Sequence, residues 1–408
     1  MQKVKVKMQK AKFLSLFFII FVYLCVSADK TFAQIAIVGE TVWTMNGEPI
    51  KNGAVLINNG KIEAVGSNAT IKIPANYRVI TAKVVTPGLI DAHTVVGLNG
   101  YLNQPHDQMA LDGSGPMQPE LRAIDAYNPD EKLVEWLRGF GITTIHTGHQ
   151  PSALISGQTM IAKTIGKTAD EAAIVPTAMV AVTLGDDGLA QGKSPGTRAK
   201  AAAMLRAELI KAIENSKKAD LPTDLRSLIM VRIIKREIPL LVTAHKAQDI
   251  ETALRIAKEF NIKLVLDGAS EAKMIINDVK ASGFPVIVHA TMARPGGDAE
   301  SLSLEDAAKL KAAGIPIALQ SGFEGYVPKT RVVLFEASMA AGNGLSQQDA
   351  LAAITIDAAK ILGIDNRVGS IAVGKDADIA LFDGDPLEFT THCVGTIING
   401  KVVSEAIR

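Results

Sequence analysis

Seven histidines follow residue 33, and four of them close a short apolar run: His93 after Leu89-Ile90-Asp91-Ala92, His146 after Ile142-Thr143-Thr144-Ile145, His245 after Leu240-Leu241-Val242-Thr243-Ala244, and His289 after Pro285-Val286-Ile287-Val288. Asp267 ends Lys263-Leu264-Val265-Leu266 in the same manner. Imidazoles and a carboxylate converging in one mouth can bind a divalent ion such as Zn²⁺ and lower the pKa of its water. Without metal they can move protons as general acid and base. Taken singly, each histidine also reads as a polar residue closing a strand against a loop. His149, three residues beyond His146, falls on a post-strand turn and reads as a loop residue before a metal ligand. His106 lies in a Gly, Pro and Asp-rich loop and His392 beside the last strands, both surface positions.

Such residues meet only if their strands are parallel and begin from one side. The apolar runs, including Val84-Val85 and Pro316-Ile317-Ala318-Leu319, alternate with helical segments at 248–260, 270–282, 304–313 and 346–362, the pattern of parallel strands joined by crossover helices. About 280 residues of this alternation predict an α/β fold of the TIM (β/α)₈ type over 86–367, where reactive groups sit at the C-terminal strand ends. The stretch 150–235 is less legible, apart from an Ala-rich helix at 199–207, and leaves two middle strands unplaced. Ala54-Val55-Leu56-Ile57 and Lys61-Ile62-Glu63-Ala64-Val65 flank Asn-Gly and predict a hairpin. The C-terminus resumes that texture, so 34–85 and 368–408 are expected to form one small β-sandwich. Gly374-Lys375-Asp376-Ala377-Asp378 reads as a charged turn leading into its last strands.

Residues 1–12 hold five lysines and no acid, and they precede a twelve-residue apolar run from Phe13 to Leu24. Thr31-Phe32-Ala33 offers small residues at the positions a signal peptidase reads, which predicts a secretory signal cleaved near Ala33 and a periplasmic or extracellular product. Leu24 is too bulky for a lipid-attachment motif at Cys25. The remaining chain carries 37 basic and 41 acidic side chains, a balance of −4 that argues against nucleic acid. Cys393 is its only cysteine, so no intrachain disulfide can form. A small molecule is the expected partner, no membrane span remains after cleavage, and the β-sheet edges leave room for a homo-oligomer.

Val85-Thr86-Pro87-Gly88-Leu89-Ile90-Asp91-Ala92-His93 resembles the first-strand signature of the amidohydrolase superfamily. Ala358-Ala359-Lys360-Ile361-Leu362-Gly363 and Gly374-Lys375-Asp376-Ala377-Asp378-Ile379 resemble its closing helix and returning strands, and Pro119 to Pro129 resembles a segment of the imidazolonepropionase-like branch. The resemblance implies the barrel, the β-sandwich and hydrolysis of non-peptide C–N bonds in cyclic amides or similar rings by metal-activated water. It carries over only in part. The first-strand pair reads His93-Thr94-Val95, with an aliphatic group in place of the second imidazole. His245 matches the fifth-strand histidine, Asp267 stands at the sixth-strand histidine position, and the eighth-strand acid falls at Ser321 or Gly322. No fourth-strand Lys or Glu can be assigned.

This degenerate set leaves three readings. One divalent metal, Zn²⁺ first, is held by His93, His245 and Asp267, with His289 as a further donor; or a metal-free site uses His245 or His289 as base beside Asp267; or a non-catalytic relative binds a small ligand or protein. The loops 112–118 and 152–159 are expected to shape the substrate.

Overall fold

The computed structural model describes residues 34–102, 104–190, 194–220, 222–291, 295–322 and 332–405. The segment expected to be a secretory signal, with Cys25, lies outside them.

Both termini build one seven-stranded sheet. Strands β1 (Ile35–Val42), β2 (Ile50–Asn58), β3 (Lys61–Ser67) and β4 (Arg78–Pro87) come from the N-terminal side, and β15 (Ile379–Phe382), β16 (Cys393–Ile398) and β17 (Lys401–Glu405) from the C-terminal side, in the order β17-β16-β15-β4-β1-β2-β3. The expected hairpin is present: Asn58 pairs with Lys61 across Asn59 (φ 51°) and Gly60 (φ 77°), the two positive values that a tight Asn-Gly turn demands. Ile35, Ile37, Val55, Ile57, Ile379 and Ile397 fill the core of this sheet.

The middle of the chain is mixed α/β. Strands β10 (Val180–Thr183), β11 (Leu240–Ala244), β12 (Leu264–Gly268), β13 (Val286–Val288) and β14 (Ile317–Leu319) run parallel in one sheet, with β7 (Ile155–Gln158) antiparallel at its edge. Strands β5 (Leu89–Thr94), β6 (Ile142–Thr147), β8 (Met160–Lys163) and β9 (Ala173–Val175) form a second, four-stranded sheet. The described strands therefore form two sheets where one continuous barrel was expected. Contacts run between them at both edges: Thr94 bridges Gly322 beyond β14, and Thr159 exchanges backbone hydrogen bonds with Ala178 and Met179 before β10.

Each parallel strand is buried throughout, and apolar but for Thr183, Thr243 and Asp267, because both of its faces are covered. Leu240, Val242, Leu264, Leu266, Val286 and Ile317 pack outward against helices, while Leu241, Val265, Ile287 and Ala318 pack together on the other face. The helices include α1 (Lys132–Arg138), α2 (Ala169–Ala172), α3 (Arg198–Ser216), α4 (Leu225–Ile234), α5 (Ala247–Phe260), α6 (Ile276–Ser282), α7 (Asp306–Ala312) and α8 (Val333–Gly342). The Ala-rich stretch lies in α3 and buries Ala201, Ala202, Leu205, Leu209 and Ala212 at helical spacing. The single helix expected over 346–362 is two, α9 (Gln347–Ala353) and α10 (Ile356–Ile361). Ile354 turns its carbonyl out of the helix to accept the Ile90 N–H, and Thr355 caps the break through its hydroxyl on the Leu351 carbonyl.

The run Gly374–Asp378 makes the expected turn into β15, but its two carboxylates, Asp376 and Asp378, are buried in an ionic joint. Lys163, at the end of β8 and 3% exposed in its side chain, reaches Asp376 at 2.8 Å and Asp378 at 3.1 Å and also contacts Asn399. Lys61 and Arg367 bind Asp376 from the other sides at 2.6 and 2.9 Å. This joint fastens the four-stranded sheet to the terminal one. Burial opposes ionisation of Asp376, but the three cations outweigh it and hold its pKa down to about 2. Such a group stabilises the fold above its unfolded pKa, and the gain fades as pH falls through the folded value. We predict that Asp376→Asn lowers stability by about 2–3 kcal/mol at pH 7. In denaturant titrations the gap should close between about pH 4 and pH 2; a pH-independent gap would contradict it.

Candidate functional site

Parallel pairing places Thr183 opposite Thr243, Thr243 opposite Asp267, and Asp267 opposite Ile287, so these side chains share the inner face of the sheet. Asp267 is fully buried, and its carboxylate accepts from Thr243 Oγ1 at 2.6 Å, Gln320 Nε2 at 2.8 Å and His93 Nδ1 at 3.1 Å. Burial would raise its pKa; the His93 charge and these three hydrogen bonds outweigh that and hold it below the usual carboxylate range. Two of the predicted site residues, His93 and Asp267, are thus brought into direct contact across the two sheets.

The other predicted residues face different partners. His245, half-buried, lies beyond the end of β11 with Nδ1 2.7 Å from Ser270 Oγ. Burial lowers its pKa, the Asp267 charge opposing and the His289 charge assisting. Its ring occupies the space above Gly268, where a Cβ would stand 2.6 Å from His245 Cε1. His289 has Nε2 3.0 Å from Asp306 and Nδ1 3.2 Å from the Ala290 carbonyl, so both ring nitrogens face acceptors. Burial pushes the Asp306 pKa up, but hydrogen bonds from His289 and Lys273 outweigh it and hold it low.

His146 lies inside β6, not beyond it as the sequence suggested, because β6 continues to Thr147 by pairing with β8. The Ala92 carbonyl can only accept, so His146 Nδ1–H donates to it at 2.7 Å, and Nε2 accepts from Thr159 Oγ1 at 2.6 Å. Burial, with the His93 ring 5.7 Å away, pulls its pKa down to about 3. His146 is therefore a neutral, fully bonded strut. His149 is also buried, its ring against Gly157 and near the Ala110 and Leu121 carbonyls; burial lowers its pKa and those carbonyls oppose the shift. The His106 and His392 side chains are 78% and 76% exposed, as expected of surface residues. Of the expected substrate loop 152–159, residues 155–158 are strand β7, committed to pairing with β10.

Sequence reasoning missed Gln320, Thr243 and the pair Asp91–Ser321. Ser321 stands where the eighth-strand acid was sought and donates its hydroxyl at 2.5 Å, and its N–H at 3.0 Å, to Asp91. Burial raises the Asp91 pKa to about 6 against those bonds and the His93 N–H. The signal for Gln320 was available: a polar residue ending an apolar strand, in the position that singled out Asp267.

A zinc ion needs three or four N, O or S donors aimed at one point, about 2.0–2.3 Å away. Among the described residues no group of three or more His, Cys, Asp or Glu side chains is arranged in this way. Asp267 is spent on three donors, and His245 and His289 turn to Ser270 and Asp306. The described donors, as they stand, do not fit a metal.

A family model described as the amidohydrolase family matches residues 97–404. The chain belongs to the amidohydrolase family. Its members hydrolyse C–N bonds. The chain is 24% identical to the imidazolonepropionase of Fusobacterium nucleatum over 403 residues, covering 86% of this chain and 91% of that one. It is 46% identical to the Shewanella frigidimarina imidazolonepropionase over 66 residues, 15% of this chain and 16% of the relative. Its fold matches a Thermotoga maritima amidohydrolase with a TM-score of 0.86 and 27% identity, over 91% of this chain and all of that one. A Xanthomonas campestris adenosine deaminase with bound zinc shares the fold at a TM-score of 0.55 and 16% identity, over 91% and 93% of the two chains. Among the described residues no helix is long and apolar enough to cross a membrane.

Gly268 adopts φ +76° and Gly283 adopts φ +70°, but only at Gly268 would a new methyl meet a neighbour within 4 Å. We predict that Ala at either position costs about 1–2 kcal/mol of backbone strain. Gly268→Ala should cost more and shift the His245 imidazole signals in NMR spectra, whereas Gly283→Ala leaves them in place; equal costs with unmoved signals would contradict the contact.

Proposed function

We propose that this chain is an exported amidohydrolase-type hydrolase that opens a non-peptide C–N bond of a cyclic amide or similar small ring. The two central sheets are read here as halves of one (β/α)₈ barrel over 86–367, supported by the Thr94–Gly322 and Thr159–Met179 contacts at their edges. The composite β-domain takes 34–85 and 368–408, and export to the periplasm or beyond rests on the basic-then-apolar N-terminal pattern.

The observation that carries the proposal is the His245 imidazole, held by Ser270 over Gly268, at the C-terminal end of the strand that pairs with the one carrying the buried Asp267. With Nδ1–H donating to Ser270, His245 Nε2 takes a proton as water adds to the substrate carbonyl, and returns it to the departing nitrogen as the C–N bond breaks. Asp267 stabilises the imidazolium formed in between, while the His93 contact keeps Asp267 ionised. His289, fixed by Asp306, lies close enough to depress the His245 pKa. Lacking a Lewis acid worth several kcal/mol, this route predicts slow turnover. A second reading, a non-catalytic ligand-binding relative, is favoured by Ser321 in place of the eighth-strand acid.

The test is a screen of lactams and imidazolones with chelator present, on the wild type and His245→Ala, alongside elemental analysis of protein purified without chelator. We predict slow hydrolysis that survives chelation, is lost in His245→Ala, and, because burial depresses the His245 pKa, holds at the ordinary imidazole value of about 6.5 and falls only at lower pH. Saturable binding without turnover supports the second reading. About one Zn per chain, lost in His245→Ala, would instead support the metal-activated route through His93, His245 and Asp267.

A further inference from the structure

Gln320 follows β14 two residues after Ala318, which pairs with Ile287 and so continues the inner face that carries Asp267. The side chain is almost fully buried, at 1% exposure. Its Nε2 stands 2.8 Å from Asp267 Oδ1 and 3.1 Å from the Val288 carbonyl. The Val288 carbonyl can only accept, so the amide cannot be turned over without setting oxygen against oxygen. This fixes where the other atom goes. Gln320 Oε1 is buried and accepts no hydrogen bond. Thr183 Oγ1, on the same inner rung through its pairing with Thr243, is likewise buried without a partner. Buried carbonyl oxygens are rarely left bare, and a bare one calls for a donor that the protein itself does not supply, a water, an ion or a ligand.

We propose that Gln320 is a specificity-determining residue, its Oε1 accepting the N–H beside the scissile carbonyl of a secondary cyclic amide. The assignment rests on the hydrolase reading for its substrate class and adds how the ring is chosen. Asp267 and the Val288 carbonyl together set the orientation of the Gln320 amide and so present its oxygen as the acceptor. A tertiary amide has no N–H to give and would bring a methyl group against the oxygen.

The probes are 2-pyrrolidinone and its N-methyl derivative, titrated by NMR into the full purified chain, so that binding is read without turnover. Wild-type protein should bind 2-pyrrolidinone about tenfold more tightly or better. Gln320→Met should bring the two within about twofold of each other. Gln320→Glu should keep the preference, because a carboxyl protonated beside Asp267 still leaves its second oxygen bare. Equal binding of the two probes by wild type would overturn the proposal, as would no binding of 2-pyrrolidinone, or a preference that survives in Gln320→Met. A preference that follows these variants in a protein that hydrolyses nothing would remove the hydrolase reading and leave the Gln320 assignment standing.

Discussion

A carboxylate with no access to water must be met by donors or give up its charge, and Asp267 is met from three directions. Thr243 reaches it from the neighbouring strand, Gln320 from beyond β14, and His93 from the other sheet. Each of those side chains is thereby fixed in rotamer and, for Gln320, in amide orientation. The cost of removing such an ion from water is several kcal/mol before its partners are counted. The arrangement therefore contributes specificity of structure more than net stability, since only this closing of the two sheets satisfies the charge.

From that centre the remaining polar groups follow in order. His93 bound to Asp267 sets its ring 5.7 Å from His146, and His146 stays neutral because a charge there would add to the burial penalty. Asp91 is left to Ser321, and burial lifts it toward neutrality. His245 stands partly exposed, and Gly268, as glycine, admits its ring. Family likeness and local chemistry diverge here. The strand ends keep the positions of a metal-using fold, but the groups there turn to other partners within the protein. Function is argued from the site and not from the fold.

Much of the architecture was legible because burial on both faces writes itself as short continuous apolar runs, and β11, β12, β13 and β14 lie where those runs lie. The region 150–235 was opaque for a physical reason: β7 and β8 are four residues each, separated by Thr159 alone, and Gly157 and Gln158 break the apolar signal. The helix break at Ile354 could not be read, since it arises from a carbonyl given to Ile90 far away in the chain. In the site, His93 and Asp267 announced themselves by position, whereas their mutual contact depends on two sheets meeting. The turn at Gly374 was legible but the burial of Asp376 and Asp378 was not, because a charged run in a Gly-bounded segment usually faces water, and here Lys163 lies buried beneath it.

The central claim is that the strand-end donors are turned to partners within the protein, His93 and Asp267 to each other. The most direct test is a crystal structure of protein purified without chelator, with anomalous data collected above the zinc edge. The account predicts no anomalous peak between His93 and Asp267, with Nδ1 near 3.1 Å from the carboxylate and Gln320 Nε2 turned toward it. A peak within about 2.3 Å of Asp267 and both His93 and His245 would contradict it.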